Sequence, residues 1–259
     1  MTLNWYARPK VNLFLHVTGK RADGYHLLES LVCFPEGGDV LTITSSSNLE
    51  LQESGPYSDK MGKASDNLVL RAAKLLQKEL GISKGADLHL EKNLPVASGI
   101  GGGSADAAAA LHLLCDHWDI DVPLSDLMKL GEELGADVPV CLESKPALMT
   151  GVGEQVSPVA ALPPLYILLV NPGVPVATPK VFAKLKIVPE KTEIPDFSGS
   201  SIEDFIARLG RCRNDLQAGA MEIAPAIGET LSILEQCADV LLSRMSGSDA
   251  TCFGLFETE

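Results

Sequence analysis

A glycine-rich segment set directly against an alanine-rich one constrains this chain more than any other feature. Residues 95–111 read PVASGIGGGSADAAAAL, with four glycines within five positions. Glycine is the poorest ordinary helix former and alanine the best, so the segment predicts a tight turn that runs straight into a helix. Glycines let backbone N–H groups approach a ligand, and a helix start directs further N–H groups to the same point. The segment therefore predicts a phosphate site, although a ligand-free turn is the simpler alternative.

The two commonest phosphate-binding loops do not fit this segment. Gly103 is followed by Ser104 with no lysine between them, whereas a P-loop ends in Gly-Lys-Ser/Thr. Counted from Gly99, the sixth position is Ser104, so the GxGxxG pattern of dinucleotide-binding proteins is not met either. The glycines predict a phosphate loop of another class.

Composition narrows the kinds of protein that remain. The chain has 259 residues, which predicts one or two domains, and 46% of them are apolar. The net charge of −13 argues against nucleic acid or an anionic membrane as the main partner. The chain start lacks the apolar core of a signal peptide, and no stretch approaches the ~20 apolar residues of a membrane span. We therefore expect a cytoplasmic protein whose six cysteines are reduced and buried.

The order of elements predicts an α+β fold with two domains. The first half opens with short alternating segments that predict strands, and its helices follow later. The segment KVNLFLHV, residues 10–17, alternates and predicts a strand on which Lys10 and Asn12 share a face. Glycine and proline cluster in GVGEQVSPVAALPP, which predicts a boundary between a domain of residues 1–155 and one of residues 156–259.

The segment PVASGIGGGSADAAAAL resembles the central motif of the GHMP kinases, a family named for galactokinase, homoserine kinase, mevalonate kinase and phosphomevalonate kinase. The start ARPKVNLFLHVTGKRADGYHLLES is similar to one branch of that family, the 4-diphosphocytidyl-2-C-methyl-D-erythritol kinases. Further segments follow in the order of that branch: LGADVPVCL, GVGE, PGVPVATPKVF, RNDL and MSGSDATCFGLF. The resemblance covers nearly the whole chain. It implies the two-domain GHMP kinase fold with the active site in the inter-domain cleft.

The resemblance also implies an activity. Members of the branch move the γ-phosphate of ATP to the 2-hydroxyl of 4-diphosphocytidyl-2-C-methyl-D-erythritol, in the non-mevalonate (methylerythritol phosphate) route to isoprenoid precursors. Phosphoryl transfer depends mostly on positioning and charge stabilisation, so Mg²⁺ is expected as well, with unknown ligands. Two alternatives stay open. One is a kinase for another small alcohol, such as phosphomevalonate or homoserine, and the other is a non-catalytic nucleotide-binding sensor on the same fold.

Candidate site residues follow from the resemblance. It implies that Lys10 supplies positive charge and that Asp137 accepts or orients the hydroxyl proton. From the residues alone, Lys10 could instead be a solvated lysine, and Asp137 could be a helix N-cap. The ATP-binding set comprises Pro95, Val96, Ala97, Ser98, Gly99, Ile100, Gly101, Gly102, Gly103, Ser104 and Ala105. The substrate-binding set comprises Asn12, Tyr25, His26, Thr178 and Phe182. An exposed turn is an equal alternative for Tyr25 and His26, and the histidine spacing indicates no zinc site.

Ala105 and Asp249 depart from the family pattern. Ala105 stands where the family usually has a second serine, so a hydroxyl that could help to hold Mg²⁺ is missing. Asp106 follows in the first turn of the predicted helix, where its charge suits the dipole but opposes phosphate. Asp249 replaces the glycine that ends a Ser-Gly-Ser-Gly pattern, and aspartate is one of the few residues that tolerate a positive φ. The family pattern also predicts one more helix and strand after TCFGLF.

Overall fold

The structure is a computed structural model that describes residues 2–63, 66–159, 161–185, 193–199 and 201–259. The described part forms strands β1 (Leu3–Ala7), β2 (Val11–Asn12), β3 (His16–Lys20), β4 (His26–Cys33), β5 (Asp39–Thr44), β6 (Leu49–Ser54), β7 (Ala86–Glu91), β8 (Ala147–Gly151), β9 (Gln155–Pro158), β10 (Tyr166–Val170), β11 (Leu242–Met245) and β12 (Cys252–Phe256). It forms helices α1 (Leu68–Leu80), α2 (Gly102–Trp118), α3 (Leu124–Leu134), α4 (Val138–Glu143), α5 (Thr178–Ala183), α6 (Ile202–Leu209), α7 (Gln217–Ile223) and α8 (Ala226–Glu235). Strands and helices are mixed throughout, which confirms the α+β prediction.

The chain folds into two compact units that are built from alternating segments of sequence. The first unit comprises Met1–Lys10, Phe34–Val96 and Gly101–Ser144. The second unit comprises Val11–Cys33, Ala97–Ile100 and Lys145–Glu259. The predicted division of the sequence between residues 155 and 156 stays a prediction.

The first unit is a four-stranded sheet covered by helices. Its strand order is β1-β5-β7-β6, with β6 and β7 parallel and the other pairs antiparallel. Alternate residues of β5 and β7, among them Leu41 and Leu90, are buried, because one face of the sheet packs against helices. Helix α2 packs on β1, β5 and α1, and its residues from Ala105 to Leu111 are all buried. A helix that is apolar on every side belongs in a core, and its small alanines allow close packing.

Helix α1 shows how local sequence sets the ends of an element. The side chain of Asn67, the N-cap residue, accepts a hydrogen bond from Val69 N at 2.8 Å. Gly81 ends the helix with a left-handed backbone, φ 64°, which is the conformation that glycine adopts without strain. The apolar residues between these caps face the core of the first unit.

The second unit contains two sheets. In one, β4 lies between β8 and the two strands β2 and β3, and β9 extends the sheet beyond β8. The other is antiparallel, with the order β10-β12-β11, and α8 packs against β11 and β12. Phe14, which lies between β2 and β3, and Leu31 of β4 share a buried cluster with Phe205 of α6 and Phe253 of β12. Early and late parts of the sequence therefore build one core.

The prediction of a continuous strand over residues 10–17 is wrong. The chain pairs with β4 at β2, where Leu13 N also donates to Leu31 O at 2.8 Å, but regular pairing with β4 resumes only at His16, the first residue of β3. At Leu15 the chain changes partner, with its N–H donating to Arg213 O at 3.0 Å. All of Lys10 to Val17 is buried, on both sides of the backbone, so the polar residues of this segment lie in the interior together with its apolar residues.

Within the described residues, every helix is too short or too polar to cross a membrane.

Candidate active site

The helix that follows the predicted phosphate loop begins earlier than the glycine content suggests. The helix begins at Gly102, so two of the glycines lie inside its first turn. Helix propensity has little weight there, because first-turn N–H groups have no intrahelical acceptor. The residues that precede the helix include three with left-handed backbones: Ala97 (φ 52°), Gly99 (φ 73°) and Gly101 (φ 65°). The glycines at 99 and 101 permit a backbone path that other residues adopt only with strain.

The start of α2 presents backbone donors. Gly101, the N-cap residue, makes no side-chain capping bond, and Ala105 N donates to Gly101 O at 2.8 Å. The N–H groups of Gly102, Gly103 and Ser104 precede that bond and have no acceptor within the helix. Together with the positive end of the helix dipole, three such groups are suited to bind an anion.

Neighbouring groups pack so closely on the loop that a Cβ would collide with them. In the second unit, a Cβ on Gly99 would come within 2.6 Å of Asp249 Cβ. In the first unit, a Cβ on Gly101 would lie 3.2 Å from Lys10 Cβ. Asp249 is not among the described residues with a positive φ, so its tolerance of that conformation does not explain its presence.

The remaining residues of the predicted loop divide between the two units. Pro95 and Val96 belong to the first unit and Ala97–Ile100 to the second. Ile100 is buried, and Ser98 O accepts a hydrogen bond from Thr251 Oγ1 at 2.6 Å. Burial of Ile100 and the hydrogen bond to Ser98 O therefore hold this part of the loop in place.

Lys10 and Asp137 form an ion pair in the first unit. Nζ of Lys10 lies 2.9 Å from Oδ2 of Asp137, and the two side chains are 6% and 36% exposed. Lys10 is thus a buried cation, not a solvated lysine. Asp137 occupies the N-cap position of α4 but makes no side-chain capping bond. Its carboxylate is held by the lysine and remains accessible at its other side.

A second charged cluster lies beneath the start of α2. The ammonium group of Lys92 donates to Asp39 Oδ2 and, at 2.8 Å, to Asp106 Oδ2, and all three side chains are buried. Asp39 Oδ1 also accepts from the N–H groups of Asn93 and Leu94, at 2.6 and 2.8 Å. Asp106 Oδ1 has no hydrogen-bond partner in the described part of the chain. The charge of Asp106, which we expected to oppose phosphate, has Lys92 as its counter-ion.

The cluster has one cation for two carboxylates, which decides where a proton is held. Burial, and to a smaller extent the charge of Asp39, raise the pKa of Asp106 to about 7 against the attraction of Lys92. Burial lowers the pKa of Lys92, but the two carboxylates outweigh burial and raise it overall. Near neutral pH the lysine therefore stays charged, and Asp106 is the member that exchanges a proton.

A pocket of about 580 Å³ in the second unit brings together four of the five predicted substrate-binding residues. The rings of His26 and Phe182 stack, with centroids 4.8 Å apart and planes inclined by 25°. Tyr25 lines the same pocket with a largely exposed ring, and Thr178 begins α5 at its edge. Burial and the nearby Lys20 lower the pKa of His26, which keeps this ring neutral near pH 7. The pocket offers flat apolar surfaces with polar groups beside them.

Asn12, the fifth predicted residue, lies buried among hydrogen bonds of the second unit. Its N–H donates to Ser246 Oγ at 3.0 Å, and its Nδ2 donates to Ser30 Oγ at 2.7 Å. The segment that contains Ser246 is itself held by Asn214, whose Nδ2 donates to Met245 O and Gly247 O, both at 2.8 Å. The RNDL segment thus has a structural role that its sequence did not indicate.

Sequence reasoning missed Lys92, Asp39 and Ser30. Asp39 begins one alternating strand segment and Lys92 ends another, where charged residues are ordinary, so neither position gave a signal. Ala105 is buried within α2, an environment that suits its apolar side chain. Among the described residues, no group of three or more His, Cys, Asp or Glu side chains is arranged to hold a metal ion.

Comparisons with known proteins identify the family. The GHMP kinases N terminal domain matches residues 67–145, and the GHMP kinases C terminal domain matches residues 199–259. A protein of Parvibaculum lavamentivorans named 4-diphosphocytidyl-2-C-methyl-D-erythritol kinase is 48% identical over 256 residues, covering 98% of this chain and 88% of the relative. A protein of the same name from Cereibacter sphaeroides is 50% identical, covering 98% of this chain and 89% of the relative.

Solved structures agree with the sequence relatives. A crystal structure of 4-(cytidine 5'-diphospho)-2C-methyl-D-erythritol kinase matches with a TM-score of 0.79 and 32% identity, covering 98% of this chain and 90% of the other. Homoserine kinase from Cytophaga hutchinsonii matches with a TM-score of 0.73 and 18% identity, covering 100% and 86%, which supports the fold alone. With both domain matches and near-complete coverage by close relatives, the chain belongs to the GHMP kinase family, in its 4-diphosphocytidyl-2-C-methyl-D-erythritol kinase branch.

Proposed function

We propose that this chain transfers the γ-phosphate of ATP to the 2-hydroxyl of 4-diphosphocytidyl-2-C-methyl-D-erythritol, in the non-mevalonate route to isoprenoid precursors. The observation that carries the proposal is the Lys10–Asp137 pair, a buried cation 2.9 Å from an accessible carboxylate. The pair lies in the same unit as the start of α2, and the Cβ of Lys10 is within 3.2 Å of the position of a Cβ on Gly101. Charge and backbone donors for a phosphate chain are thus close together.

Each residue has a distinct part in the proposed reaction. The 2-hydroxyl oxygen forms a bond to the γ-phosphorus, the bond from that phosphorus to the bridging oxygen breaks, and ADP leaves. Asp137 orients the hydroxyl and accepts its proton, for which a carboxylate with one accessible side is suited. Lys10 offsets negative charge on the transferred group, and the N–H groups of Gly102 to Ser104 bind phosphate oxygens.

The donor set fits a Mg²⁺ ion that the nucleotide itself carries. Mg²⁺ is usually held by one or two carboxylates together with substrate phosphates and water. Asp137 offers one accessible carboxylate, and Ser104 a half-buried hydroxyl at the helix start, whereas Asp106 is already bound to Lys92. When bound, the ion would neutralise charge on the phosphates of ATP.

The aromatic pocket supports a cytidyl acceptor over the two alternatives. A pyrimidine ring stacks on flat aromatic side chains. His26, Phe182 and Tyr25 provide such side chains in this pocket. Likeness to homoserine kinase at 18% identity and to phosphomevalonate kinase at 13% identity concerns the fold and does not favour their acceptors. A non-catalytic sensor would not require the Lys10–Asp137 pair, which this chain has.

A coupled ADP-release assay tests the proposal. The purified chain is incubated with ATP, Mg²⁺ and the cytidyl substrate, with phosphomevalonate and homoserine as parallel acceptors. We expect turnover with the cytidyl substrate alone. Turnover with another acceptor would replace the proposed substrate, and ATP binding without any turnover would favour the sensor.

A further inference from the structure

Three buried charged residues join separate segments of the first unit. Asp39 is the first residue of β5, Lys92 directly follows β7, and Asp106 begins the second turn of α2. Val40 is paired with Glu91 across β5 and β7, so Asp39 and Lys92 stand side by side at one end of the sheet. Lys92 donates to both carboxylates, and the three side chains are at most 4% exposed. The cluster therefore connects this end of the sheet to the helix.

Stability alone does not account for such a cluster. Buried ion pairs seldom stabilise a core more than apolar residues of the same volume, because the removal of charges from water offsets their attraction. Here one cation faces two carboxylates, and Oδ1 of Asp106 has no hydrogen-bond partner in the described part of the chain. What charged groups provide, and apolar groups do not, is a set of directional bonds that fixes the segments they join.

Asp39 holds the segment that leads into the predicted phosphate loop. Its Oδ1 accepts hydrogen bonds from the backbone N–H groups of Asn93 at 2.6 Å and of Leu94 at 2.8 Å. Pro95, the first residue of the loop, follows directly. The entry to the loop is therefore fixed by a carboxylate that is itself bonded to Lys92.

Lys92 holds the segment that leaves the loop. Its ammonium group donates to Asp106 Oδ2 at 2.8 Å, one turn beyond the N–H groups that open α2. The same ammonium lies against the first residue of the helix, because a Cβ on Gly102 would be 3.2 Å from Nζ. The first turn of α2 is thus held by a lysine from the other end of the loop.

The two held segments lie where the chain leaves and re-enters the first unit. The chain leaves this unit after Val96 and returns to it at Gly101. One ammonium group, bonded to two carboxylates, ties the two places together. Backbone donors bind an anion well only when they are already in position before the anion arrives. A tie at this place therefore bears on phosphate binding as well as on folding.

We propose that Lys92 and Asp106 are positioning residues for the nucleotide: with Asp39 they clamp the two ends of the phosphate loop and keep the N–H groups at the start of α2 directed at the phosphates of ATP. This inference rests on the nucleotide-binding part of the proposed function. It gives three buried residues an effect on ATP affinity that they exert through the backbone.

Two substitutions at Asp106 test the clamp. Asp106→Ala removes the tie to α2 and leaves Lys92 paired with Asp39, so each remaining charge keeps a partner. It is expected to raise the Kd for ATP about tenfold, because only a fraction of the molecules then has both loop ends in place. Asp106→Asn keeps an oxygen that accepts from Lys92 and is expected to retain most of the ATP affinity. Calorimetric titration measures both.

A second ligand separates positioning from a general loss of structure. CDP, which by the proposed function binds in the pocket of the second unit, is expected to bind Asp106→Ala with the wild-type Kd. In the ADP-release assay the KM for ATP is expected to rise in this variant, whereas the KM for the cytidyl substrate stays unchanged. A residue that only supports the fold would not produce this difference between the two substrates.

Asp116→Ala is the matched control. Asp116 is an exposed residue near the other end of the same helix, so its replacement removes the same charge from α2 without a change in the cluster. ATP affinity is expected to stay at the wild-type value. The comparison excludes net charge as the cause, since the loss of a negative charge does not weaken the binding of an anion.

Gly102→Ala tests the contact between the ammonium group and the helix start. The added methyl would lie 3.2 Å from Nζ of Lys92, which two carboxylates hold in place. We expect Gly102→Ala to weaken ATP binding in the wild type, and to weaken it less in an Asp106→Ala background, where the lysine has lost one of its ties. Equal losses in both backgrounds would mean that residue 102 acts independently of the cluster and would contradict the clamp.

The outcomes separate this inference from the proposed function. Unchanged ATP affinity in Asp106→Ala would overturn the inference, and so would an equal loss of affinity for ATP and CDP. If Asp106→Ala fails to fold, Asp106→Leu fills the same space with an apolar side chain and is tested by the same criteria. A wild-type chain that binds ATP but phosphorylates none of the acceptors would overturn the proposed reaction and leave the clamp standing, because the clamp concerns nucleotide binding.

Discussion

The ammonium nitrogen of Lys10 lies 2.9 Å from a carboxylate oxygen of Asp137, although the two residues come from distant parts of the sequence. Asp137 stands directly before α4, where aspartate commonly caps a helix, yet its side chain does not cap. The helix start thus gives up a stabilising bond, and the carboxylate is directed to the lysine instead. A position that departs from its local preference in this way is typical of a functional site.

Asp137→Ala is expected to reduce turnover by a hundredfold or more, the usual contribution of general acid–base catalysis, and to change ATP affinity only a few-fold. The measurement is the ADP-release rate together with a nucleotide titration. Asp126→Asn is the control, because Asp126 also pairs with a lysine, Lys129 at 2.7 Å, but on an exposed surface. Wild-type turnover in Asp137→Ala would contradict the role assigned to this residue.

Gly101→Ala is expected to lower both stability and turnover, whereas Gly81→Ala lowers stability alone. Both glycines have left-handed backbones, φ 65° and 64°, so alanine costs about 1–2 kcal/mol at either position. The added methyl at 101 also meets Lys10 at 3.2 Å, whereas no atom lies within 4 Å at 81. Thermal unfolding and ADP release measured on both variants separate the two effects. Equal turnover in the two variants would show that displacement of Lys10 has no consequence.

Asp106→Asn is expected to remove part of the pH dependence of stability. Burial raises the pKa of Asp106 from 3.8 to about 7, so the folded protein binds the proton more tightly than the unfolded chain does. Stability from this group is therefore present below pH 4 and declines as the pH rises from about 4 to 7. Unfolding temperatures measured between pH 5 and 8 should decline less in Asp106→Asn than in the wild type. Parallel profiles in the two proteins would contradict the assignment of the proton to Asp106.

Phe182→Leu is expected to weaken CDP binding about tenfold and to leave ATP binding unchanged. The substitution keeps an apolar side chain but removes the ring that stacks on His26, and one base–aromatic stack contributes about 1–3 kcal/mol. Tyr166→Leu, which changes an exposed aromatic residue outside the pocket, is the control. Calorimetric titration with CDP and with ATP measures the two affinities. An equal loss of affinity for CDP and ATP would point to a general disturbance of the fold.

The glycine-to-alanine segment could be interpreted from sequence because its information is local. Four glycines within five positions and an alanine run specify a turn and a helix without reference to the rest of the chain, and α2 follows this pattern closely. The stack of His26 and Phe182 needed the family pattern, because the two residues are far apart in sequence and neither is unusual in its own surroundings.

Other features depend on contacts that sequence spacing does not reveal. Nothing near Lys92 indicates that it would be buried between Asp39 and Asp106. The alternation over residues 10–17 predicted one continuous strand, but the backbone bonds to Arg213 at Leu15, and both sides of the segment are covered. Periodicity indicates which residues alternate along a segment, but it does not indicate whether one face or both faces are buried.

Because the two compact units are built from alternating segments of sequence, parts of one unit are synthesised at different times. Residues 11–33 are synthesised long before Phe253, yet Phe14 and Leu31 share a buried cluster with it. At roughly 5–20 residues per second, Phe253 is synthesised on the order of ten seconds or more after these residues. The first unit has all of its segments once Ser144 is made. During translation, strands β2 to β4 therefore lack a part of their core until the last segment of the second unit has been made.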